Sequence, residues 1–434
     1  METAFSVQQI ASGPCFSYLL ESDGQVLLVD PHITKVSFYR DLIQKKNFKL
    51  AGIVDTHTHA DHISSAAILK REYNCPLYMS PKSVSSLDPQ RASQGDVILF
   101  GAAELTVWDA PGHTDDSIAL VGGGCVLTGD VLLIGSVGRT DFQNGSPADM
   151  FDTLARMKEL PGTTIVYPAH DYKGHKQSTI AQEKQRNSFM TQTDKHAFVT
   201  HAESKVLSKP FNMDHIIQVI RDGTAKEIEF VTAQQVKERL DSGGWEILDV
   251  RRPDEYKAVR AMPSLNIPLD SLASQVDRLT GDKKWIVSCR SGVRATTGAG
   301  MLLAAGMQNF CVAKDSLNGW LKQKYPVIRE KVPMSLERQV RTVAGSLVAI
   351  GVLLAIFVSK GFLIIPLFVG CGLIFAGLTD SCMMGEMLMK LPYNKKAMEK
   401  KTTPGGSCSL DGGGSSSGGT CAMDGDNKTG GCAM

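Results

Sequence analysis

The chain of 434 residues lacks any marked excess of charge, because 46 Lys and Arg face 45 Asp and Glu. A net charge of +1 argues against a nucleic acid or another polyanion as the main partner. The sequence also lacks a recognisable leader peptide, and its ten cysteines do not follow the spacing of a small disulfide scaffold. We therefore expect two or three domains and a reducing, cytoplasmic setting for residues 1–330.

Long uncharged apolar runs are confined to residues 342–358 and 361–379, on either side of Ser359 and Lys360. Each is near the lower limit of about 17 residues for crossing a bilayer. Arg338 and Arg341 precede the pair and several lysines follow it, which places both outer ends in the cytoplasm. We predict a membrane hairpin, with a buried helix pair as the alternative. The Gly/Ser-rich residues 402–434 are predicted to be a disordered tail. Its Cys408, Cys421 and Cys432 belong either to a plain linker or to an arm that accepts sulfur or binds a soft metal.

A dense cluster of metal-type side chains is present at residues 53–62, which read I-V-D-T-H-T-H-A-D-H. The apolar run at its start predicts a buried strand that ends in a polar loop. His57, His59 and His62 with Asp61 offer imidazole and carboxylate groups, the ligand types of zinc, iron and manganese. Without a cation, groups this close would repel one another or lose solvation. We therefore predict a metal site rather than a set of structural histidines.

Three further apolar runs are each followed by another histidine or aspartate. They lead to His113, Asp130 and His170. Ligands gathered from several strand ends suit a metal site on a rigid sheet.

These motifs (His-Thr-His-Ala-Asp-His at 57–62, Pro-Gly-His at 111–113, Thr-Gly-Asp at 128–130 and Tyr-Pro-Ala-His at 167–170) resemble the metallo-β-lactamase superfamily in type and order. The resemblance implies an αββα sandwich over residues 1–222 with its site at one edge of the sheets. Many members are two-zinc hydrolases, including thioester hydrolases of the glyoxalase II type. Here Gly138-Arg-Thr-Asp-Phe142 is instead similar to the persulfide dioxygenases.

That subfamily resemblance implies one iron(II) ion per chain, with zinc as the alternative metal. The implied ligands are His57, His113 and Asp130, an arrangement that leaves positions open for substrate and O₂. His59, Asp61, His62 and His170 would orient these ligands. Arg139 would bind a substrate carboxylate, or else form a structural ion pair. Tyr172 would act at a metal-bound water, or else pack at the edge of the site.

A second α/β pattern follows a predicted linker at residues 221–226. It contains strands at 227–231, 245–250 and 284–288 and a helix at 232–241 that Thr232 could cap. Cys289 follows the last strand in Cys-Arg-Ser-Gly-Val-Arg, where loop amides, Arg290 and Arg294 would stabilise a thiolate. The loop resembles that of single-domain rhodaneses, which implies a persulfide-carrying Cys289 over a domain at 227–328. Two sequence elements that are usual in rhodaneses are altered here, at residues 259–264 and 317–320. The related Cys-dependent phosphatases have a longer loop sized for phosphate, so the short loop favours sulfur transfer.

Residues 335–395 resemble a two-helix membrane module that follows rhodanese domains in some bacterial inner-membrane sulfurtransferases. The chain is thus expected to be an α/β multidomain enzyme at the bacterial inner membrane, with its catalytic domains facing the cytoplasm. It would oxidise a thiol persulfide, such as that of glutathione, to sulfite with O₂, and would transfer sulfur between persulfide, sulfite and thiosulfate. We also expect a homo-oligomer and proximity to a membrane sulfide:quinone oxidoreductase. The rivals are a two-zinc thioester hydrolase with an attached sulfurtransferase, and a membrane sulfur carrier whose metal domain is non-catalytic.

Overall fold

The amino-terminal part of the chain folds into two six-stranded β-sheets. The structure is a computed structural model that describes residues 5–204, 208–279, 281–330, 336–379 and 383–389. The first sheet contains, in its spatial order, Ser6–Ser12 (β1), Cys15–Ser22 (β2), Gln25–Val29 (β3), Lys49–Val54 (β4), Leu77–Met79 (β5) and Gln90–Arg91 (β6). Asp23 and Gly24 join β2 to β3 with positive φ angles of 49° and 73°, as a two-residue hairpin requires.

The second sheet begins with Val97–Phe100 (β7), Ala103–Asp109 (β8), Ile118–Gly122 (β9) and Cys125–Gly129 (β10). A separate two-stranded hairpin, Leu132–Leu133 (β11) and Ser136–Val137 (β12), follows in the chain. Ile165–Pro168 (β13) and Ser178–Thr179 (β14) then complete the second sheet. Its spatial order is β14-β13-β10-β9-β8-β7. Between the sheets lies an apolar layer that includes Tyr18, Leu27, Leu105 and Leu120, all buried.

Helices cover the outer faces of both sheets. They are Val36–Lys46 (α1), Ala66–Tyr73 (α2), Pro147–Met157 (α3), Ile180–Arg186 (α4), Lys195–Glu203 (α5) and Met213–Asp222 (α6), with a 3₁₀ turn at Ile33–Lys35. The predicted αββα sandwich is confirmed. Before α2, the Ser64 hydroxyl donates to Asp55 at 2.9 Å and accepts from the Ala66 N–H at 3.1 Å, which connects the start of this helix to the end of β4.

A five-stranded parallel sheet forms the next part of the chain. Its elements in chain order are Phe230–Val231 (β15), Ala233–Asp241 (α7), Trp245–Asp249 (β16), Pro253–Ala258 (α8), Val259–Arg260 (β17), Ser264–Asn266 (β18), Leu269–Leu272 (α9), Lys284–Ser288 (β19), Val293–Ala304 (α10), Phe310–Ala313 (β20), Ser316–Lys322 (α11) and Ile328–Arg329 (β21). The spatial order of the sheet is β15-β20-β19-β16-β18. Thr232 caps α7 as predicted, accepting from the Gln235 N–H.

The expected linker at residues 221–226 is packed rather than free. Arg221 and Asp222 belong to α6, and Gly223 ends that helix with a φ of 63°. Ala225 and Ile228 are buried in a core that also contains Ile33 and Ala299, so it joins the αββα part to the second α/β part. The strand predicted from residue 227 shortens to Phe230–Val231 because the chain before it follows this shared core.

The chain divides into a unit of Met1–Lys331 and a unit of Val332–Met434. In the second unit the described elements are Leu336–Phe357 (α12), a 3₁₀ turn at Lys360–Leu363, Ile364–Thr379 (α13) and Met383–Met389 (α14). Gln339–Phe357 and Lys360–Leu378 are long and apolar enough to cross a membrane, with mean hydropathies of 2.1 and 2.4. Pro366 is tolerated in the first turn of α13, where its missing N–H costs no helical hydrogen bond. The predicted tail at 402–434 lies outside the described residues.

Candidate functional sites

Three strand ends bring His57, His113 and Asp130 together at one edge of the sandwich. They follow β4, β8 and β10. The Asp130 Oδ2 lies 3.9 Å from His57 Nε2 and 3.8 Å from His113 Nε2. One ligand atom from each residue lies within 4.8 Å of the others, and both histidines are buried. The three predicted ligands can therefore face a single cation.

The remaining polar atom of each of these residues is held by a hydrogen bond. His57 Nδ1 donates to Thr56 Oγ1 at 3.0 Å, because the Thr56 hydroxyl gives its own proton to Asp30. His113 Nδ1 donates to the Arg139 carbonyl oxygen at 2.7 Å, and His170 Nδ1 bonds to Asp130 Oδ1 at 2.6 Å. These partners fix the tautomers so that the converging atoms carry free lone pairs.

Burial and charge around His57 also suit a cation. Its Nε2 is buried and finds no hydrogen-bond partner among the described residues. Burial, together with His59 and His113, lowers the pKa of His57 to about 3, so its imidazole is neutral as a ligand must be. The donor set of two imidazoles and one carboxylate fits iron(II) or zinc.

A second cluster lies against the first and is centred on His170. Its Nε2 is 2.9 Å from Asp61 Oδ2 and 3.1 Å from Cys15 Sγ, while His62 Nδ1 is 3.1 Å from the same Asp61 oxygen. Burial alone would lower the pKa of His170, but the carboxylates of Asp130 and Asp61 raise it well above its ordinary value. His170 therefore links the two carboxylates, and both favour its protonated form.

Cys15 also belongs to this cluster, although its place in an apolar stretch of sequence does not indicate it. The start of β2 pairs with residue His170, and the Phe16 N–H donates to the Ala169 carbonyl at 2.7 Å. Burial raises the pKa of the Cys15 thiol, but His170 outweighs it and the net shift is downward. Because the two residues are 155 positions apart, no local pattern could have paired them.

His59 lies behind the metal ligands rather than among them. Its Nε2 is 3.2 Å from Asp30 Oδ1, and its ring centroid is 4.2 Å from that of His57. Asp55 completes this buried group, and burial raises the pKa of Asp55 to about 6. Through these contacts, the buried group of Asp30, Asp55 and His59 stabilises the loop at residues 57–62.

Arg139 and Tyr172 flank the site. The Arg139 guanidinium makes two bonds of 2.6 Å to Asp141 and one of 2.6 Å to the Ser208 carbonyl. It also lies 4.6 Å from the centre of the Phe142 ring. Tyr172 is 75% exposed, and its ring stacks on His170 at 6.0 Å. Both residues therefore lie at the site. Arg139 forms a structural ion pair, which was the alternative to its predicted role in binding a substrate carboxylate.

Cys289 lies at the carboxyl end of β19, at the base of the loop that leads to α10. The Gly292 N–H donates to Cys289 Sγ at 3.1 Å, and Gly292 has a φ of 99° that favours glycine. Arg294 forms bonds of 2.6 and 2.8 Å with Glu255, while Arg290 is exposed. A loop amide thus faces the sulfur as expected, whereas Arg294 has a carboxylate partner.

Comparisons with known proteins agree with these sites. Three family models match the chain: "Metallo-beta-lactamase superfamily" at residues 11–170, "Rhodanese-like domain" at 232–323, and "Inner membrane protein YgaP-like, transmembrane domain" at 334–397. Mitochondrial persulfide dioxygenase ETHE1 of Mus musculus is 33% identical over 205 residues, which cover 46% of this chain and 80% of the relative. The Homo sapiens protein is 33% identical over 208 residues, which cover 46% and 81%.

Two solved structures are also similar. The crystal structure of ETHE1 from Myxococcus xanthus is 33% identical and covers 50% of this chain and 97% of its own, with a TM-score of 0.48. A metallo-beta-lactamase from Staphylococcus aureus is 20% identical and covers 71% of this chain and 99% of its own, with a TM-score of 0.55. At 20% identity, the similarity to the Staphylococcus aureus structure concerns the fold alone.

The fold and the two sites define a metallo-β-lactamase domain joined to a rhodanese-like domain and a membrane domain. Within that class, the chain belongs to the persulfide dioxygenase family and is an enzyme of sulfur metabolism. The predicted order of the three kinds of domain is confirmed. The YgaP-like match and the two apolar helices support the predicted membrane association.

Proposed function

We propose that this enzyme oxidises a thiol persulfide with O₂ to sulfite at an iron(II) site, and that its second site transfers sulfane sulfur through Cys289. The observation that carries the proposal is the convergence of His57, His113 and Asp130, each with its other polar atom already held. In chemical balance, RSSH, O₂ and water give RSH, sulfite and two protons.

His57, His113 and Asp130 would hold about one iron per chain on one side, since a facial set of three ligands leaves open positions. When bound, iron(II) supplies a site where O₂ and a sulfur ligand meet. Burial raises the pKa of Asp130, but the hydrogen bond with His170 outweighs it and favours the ionised carboxylate that a metal ligand requires. Asp61 and His62 hold His170 from the other side, and His59 supports His57.

Glutathione persulfide is the proposed substrate, and Arg139 is its proposed anchor. A guanidinium matches a carboxylate with two parallel hydrogen bonds. Asp141, its present partner, has a half-exposed side chain, so a substrate carboxylate can replace it from solvent. Tyr172 stacks on His170 and is exposed at the rim, where its hydroxyl would donate to a metal-bound water or to the substrate.

The sulfur-transfer site would use the product of the first reaction. The Cys289 thiolate attacks the outer sulfur of a persulfide, a new S–S bond forms, and the thiol leaves with the electron pair of the old bond. Sulfite then takes the outer sulfur from Cys289, which gives thiosulfate and restores the thiolate. The Gly292 N–H stabilises the charge on the Cys289 sulfur in each step, and Arg290 and Arg294 attract the anions.

The domain assignment 1–222, 227–328, 335–395 and 402–434 completes the proposal. Both outer ends of the hairpin would lie in the cytoplasm of a bacterium, which would place the catalytic domains there. Anchoring would keep the enzyme, as a homo-oligomer, near a membrane source of persulfide such as a sulfide:quinone oxidoreductase.

Two single variants test the proposal by separating its reactions. His113→Ala should abolish oxygen uptake driven by glutathione persulfide, a loss of at least about 100-fold because a metal ligand is removed, and should leave sulfur transfer from thiosulfate intact. Cys289→Ser should do the opposite. His196→Ala, an exposed position, and Cys311→Ala, a buried cysteine of the same sheet, are the matched controls. Loss of both reactions in either variant, with the fold intact, would contradict two independent sites.

A further inference from the structure

The turn after β20 holds a serine in a conformation that favours glycine. Ser316 has a φ of 47° and is only 6% exposed. A side chain with a Cβ atom is strained in this left-handed region, and such strain persists where the surrounding structure or the function requires it. Glycine would satisfy the backbone better, so the hydroxyl of Ser316 needs an explanation.

The Ser316 hydroxyl lies beside the sulfur-transfer cysteine. Its Oγ accepts a hydrogen bond from the Cys289 N–H at 3.1 Å and lies 3.8 Å from Cys289 Sγ, within hydrogen-bond reach of a sulfur. Its own proton is directed to the Ala313 carbonyl oxygen at 2.9 Å. A small rotation of the Ser316 hydroxyl would therefore redirect its proton from the Ala313 carbonyl oxygen to Cys289 Sγ.

The first turn of α11 orients the rest of the Cys289 loop. The Leu317 N–H donates to the Cys289 carbonyl at 3.2 Å, and the Asn318 N–H donates to the Arg290 carbonyl at 3.0 Å. These bonds turn the loop carbonyls towards α11 and away from the sulfur. The loop amide of Gly292 is thereby left to face Sγ.

We propose that Ser316 is a positioning residue for Cys289 in sulfur transfer, an inference that rests on the proposed function of that cysteine. Its hydroxyl holds the Cys289 amide and gives its proton to Sγ whenever that sulfur is anionic. With thiosulfate as donor, Cys289 forms an S–S bond to the sulfane sulfur as the old S–S bond breaks and sulfite leaves with its electron pair. When an acceptor thiolate or sulfite later takes the sulfane sulfur, Cys289 leaves as the thiolate, which the Ser316 hydroxyl stabilises.

Ser316→Gly tests the hydroxyl while keeping the backbone conformation. We expect Tm to change little, because glycine relieves the strain of the positive φ while the Cys289 N–H loses its hydrogen-bond acceptor. We expect kcat for thiosulfate sulfur transfer to fall about 10-fold, the effect of one lost hydrogen bond, with KM unchanged because the incoming anion does not contact this buried group. Alkylation of Cys289 by iodoacetamide at neutral pH should slow by a similar factor, and persulfide-driven oxygen uptake should stay the same.

Lys324→Gly is the matched control, since Lys324 is exposed, has a φ of 57° and lies just after α11. It should leave both rates unchanged. Wild-type transfer and alkylation in Ser316→Gly, while Cys289→Ser is inactive, would overturn the inference and leave the proposed function standing. A large fall in Tm that accompanies the loss would make the role structural and would also overturn it. Retained transfer in Cys289→Ser would overturn the proposed function, and the inference with it.

Discussion

At the scale of single residues, His170 connects the candidate metal centre to the cluster around it. It lies between Asp130 at 2.6 Å and Asp61 at 2.9 Å, and both carboxylates raise its pKa although burial opposes them. An imidazolium there pairs with both carboxylates, which would otherwise repel each other. Its contact with Asp130 also decides which carboxylate oxygen is free to face a metal.

Removing this connection should weaken metal binding without removing a ligand. His170→Ala leaves Asp130 Oδ1 without its partner, and we expect iron affinity to fall by about 10- to 100-fold, as for other groups that orient ligands. Competition with a chelator of known affinity measures the change. His175→Ala, at a neighbouring exposed histidine, should bind iron as the wild type does, and unchanged affinity in His170→Ala would show that Asp130 is oriented without it.

The motifs around residues 57–62, 113, 130 and 170 could be predicted from the sequence because each follows an apolar strand. Cys15 and Ser316 could not, because their function depends on contacts across the fold. Cys15 resembles any cysteine in an apolar strand until β2 lies beside His170. Ser316 resembles a cap at the start of α11 until its hydroxyl lies next to Cys289.

At the scale of secondary-structure elements, α10 joins the sulfur-transfer loop to the core shared by both catalytic parts. It starts directly after Gly292, and its residues Ala295 and Ala299 are buried in that core. A Cβ added at Gly300 would lie only 3.1 Å from Thr34 Cγ2, so a small residue is needed for α10 to approach the turn at Ile33–Lys35. The sequence alone could not show this contact, because Gly300 and Thr34 are far apart in the chain.

The ion pair between Glu255 in α8 and Arg294 in α10 should make stability depend on pH. Arg294 lowers the pKa of Glu255 to about 2, so the pair stabilises the fold above the ordinary Glu pKa of about 4.5 and loses this effect as the pH falls towards 2. Because both side chains are partly exposed, we expect Glu255→Gln to cost only about 0.5–1 kcal/mol near neutral pH.

Urea unfolding of both proteins at pH 7, 5 and 4 measures this difference. The difference in the free energy of unfolding between the two proteins should be the same at pH 7 and 5 and should begin to decrease at pH 4. Glu246→Gln, at a surface pair with Lys283, is the control and should have a smaller effect at every pH. A difference that grew on acidification would mean that Glu255 is not the group that titrates.

At the scale of the whole molecule, every proposed catalytic residue lies within the unit Met1–Lys331. The two apolar helices belong to the other unit and expose large side chains such as Ile356, Phe357 and Phe368. Apolar surface of this kind is stable in a bilayer and not in water. The sequence predicted this separation, since charge-free runs of this length can be recognised without knowledge of the fold.

A chain ending at residue 332 should therefore be soluble without detergent, bind iron and retain both reactions. The full chain should remain with membranes through high-salt and carbonate washes, which release peripheral proteins. Fractionation of cells that express each form, followed by both activity measurements, tests this expectation. Full-length protein in the soluble fraction would contradict the hairpin and favour the buried helix pair.

The central claim is that the cluster of His57, His113 and Asp130 is an iron site for oxidising persulfides. The most direct test is to prepare the metal-free enzyme, restore it with either iron(II) or zinc, and record metal content, oxygen uptake and sulfite formation with glutathione persulfide. We predict about one iron per chain, oxygen consumed and sulfite formed in equal amounts, and no oxygen uptake with zinc. Two zinc ions per chain, with rapid thioester hydrolysis and no oxygen uptake in either form, would contradict it.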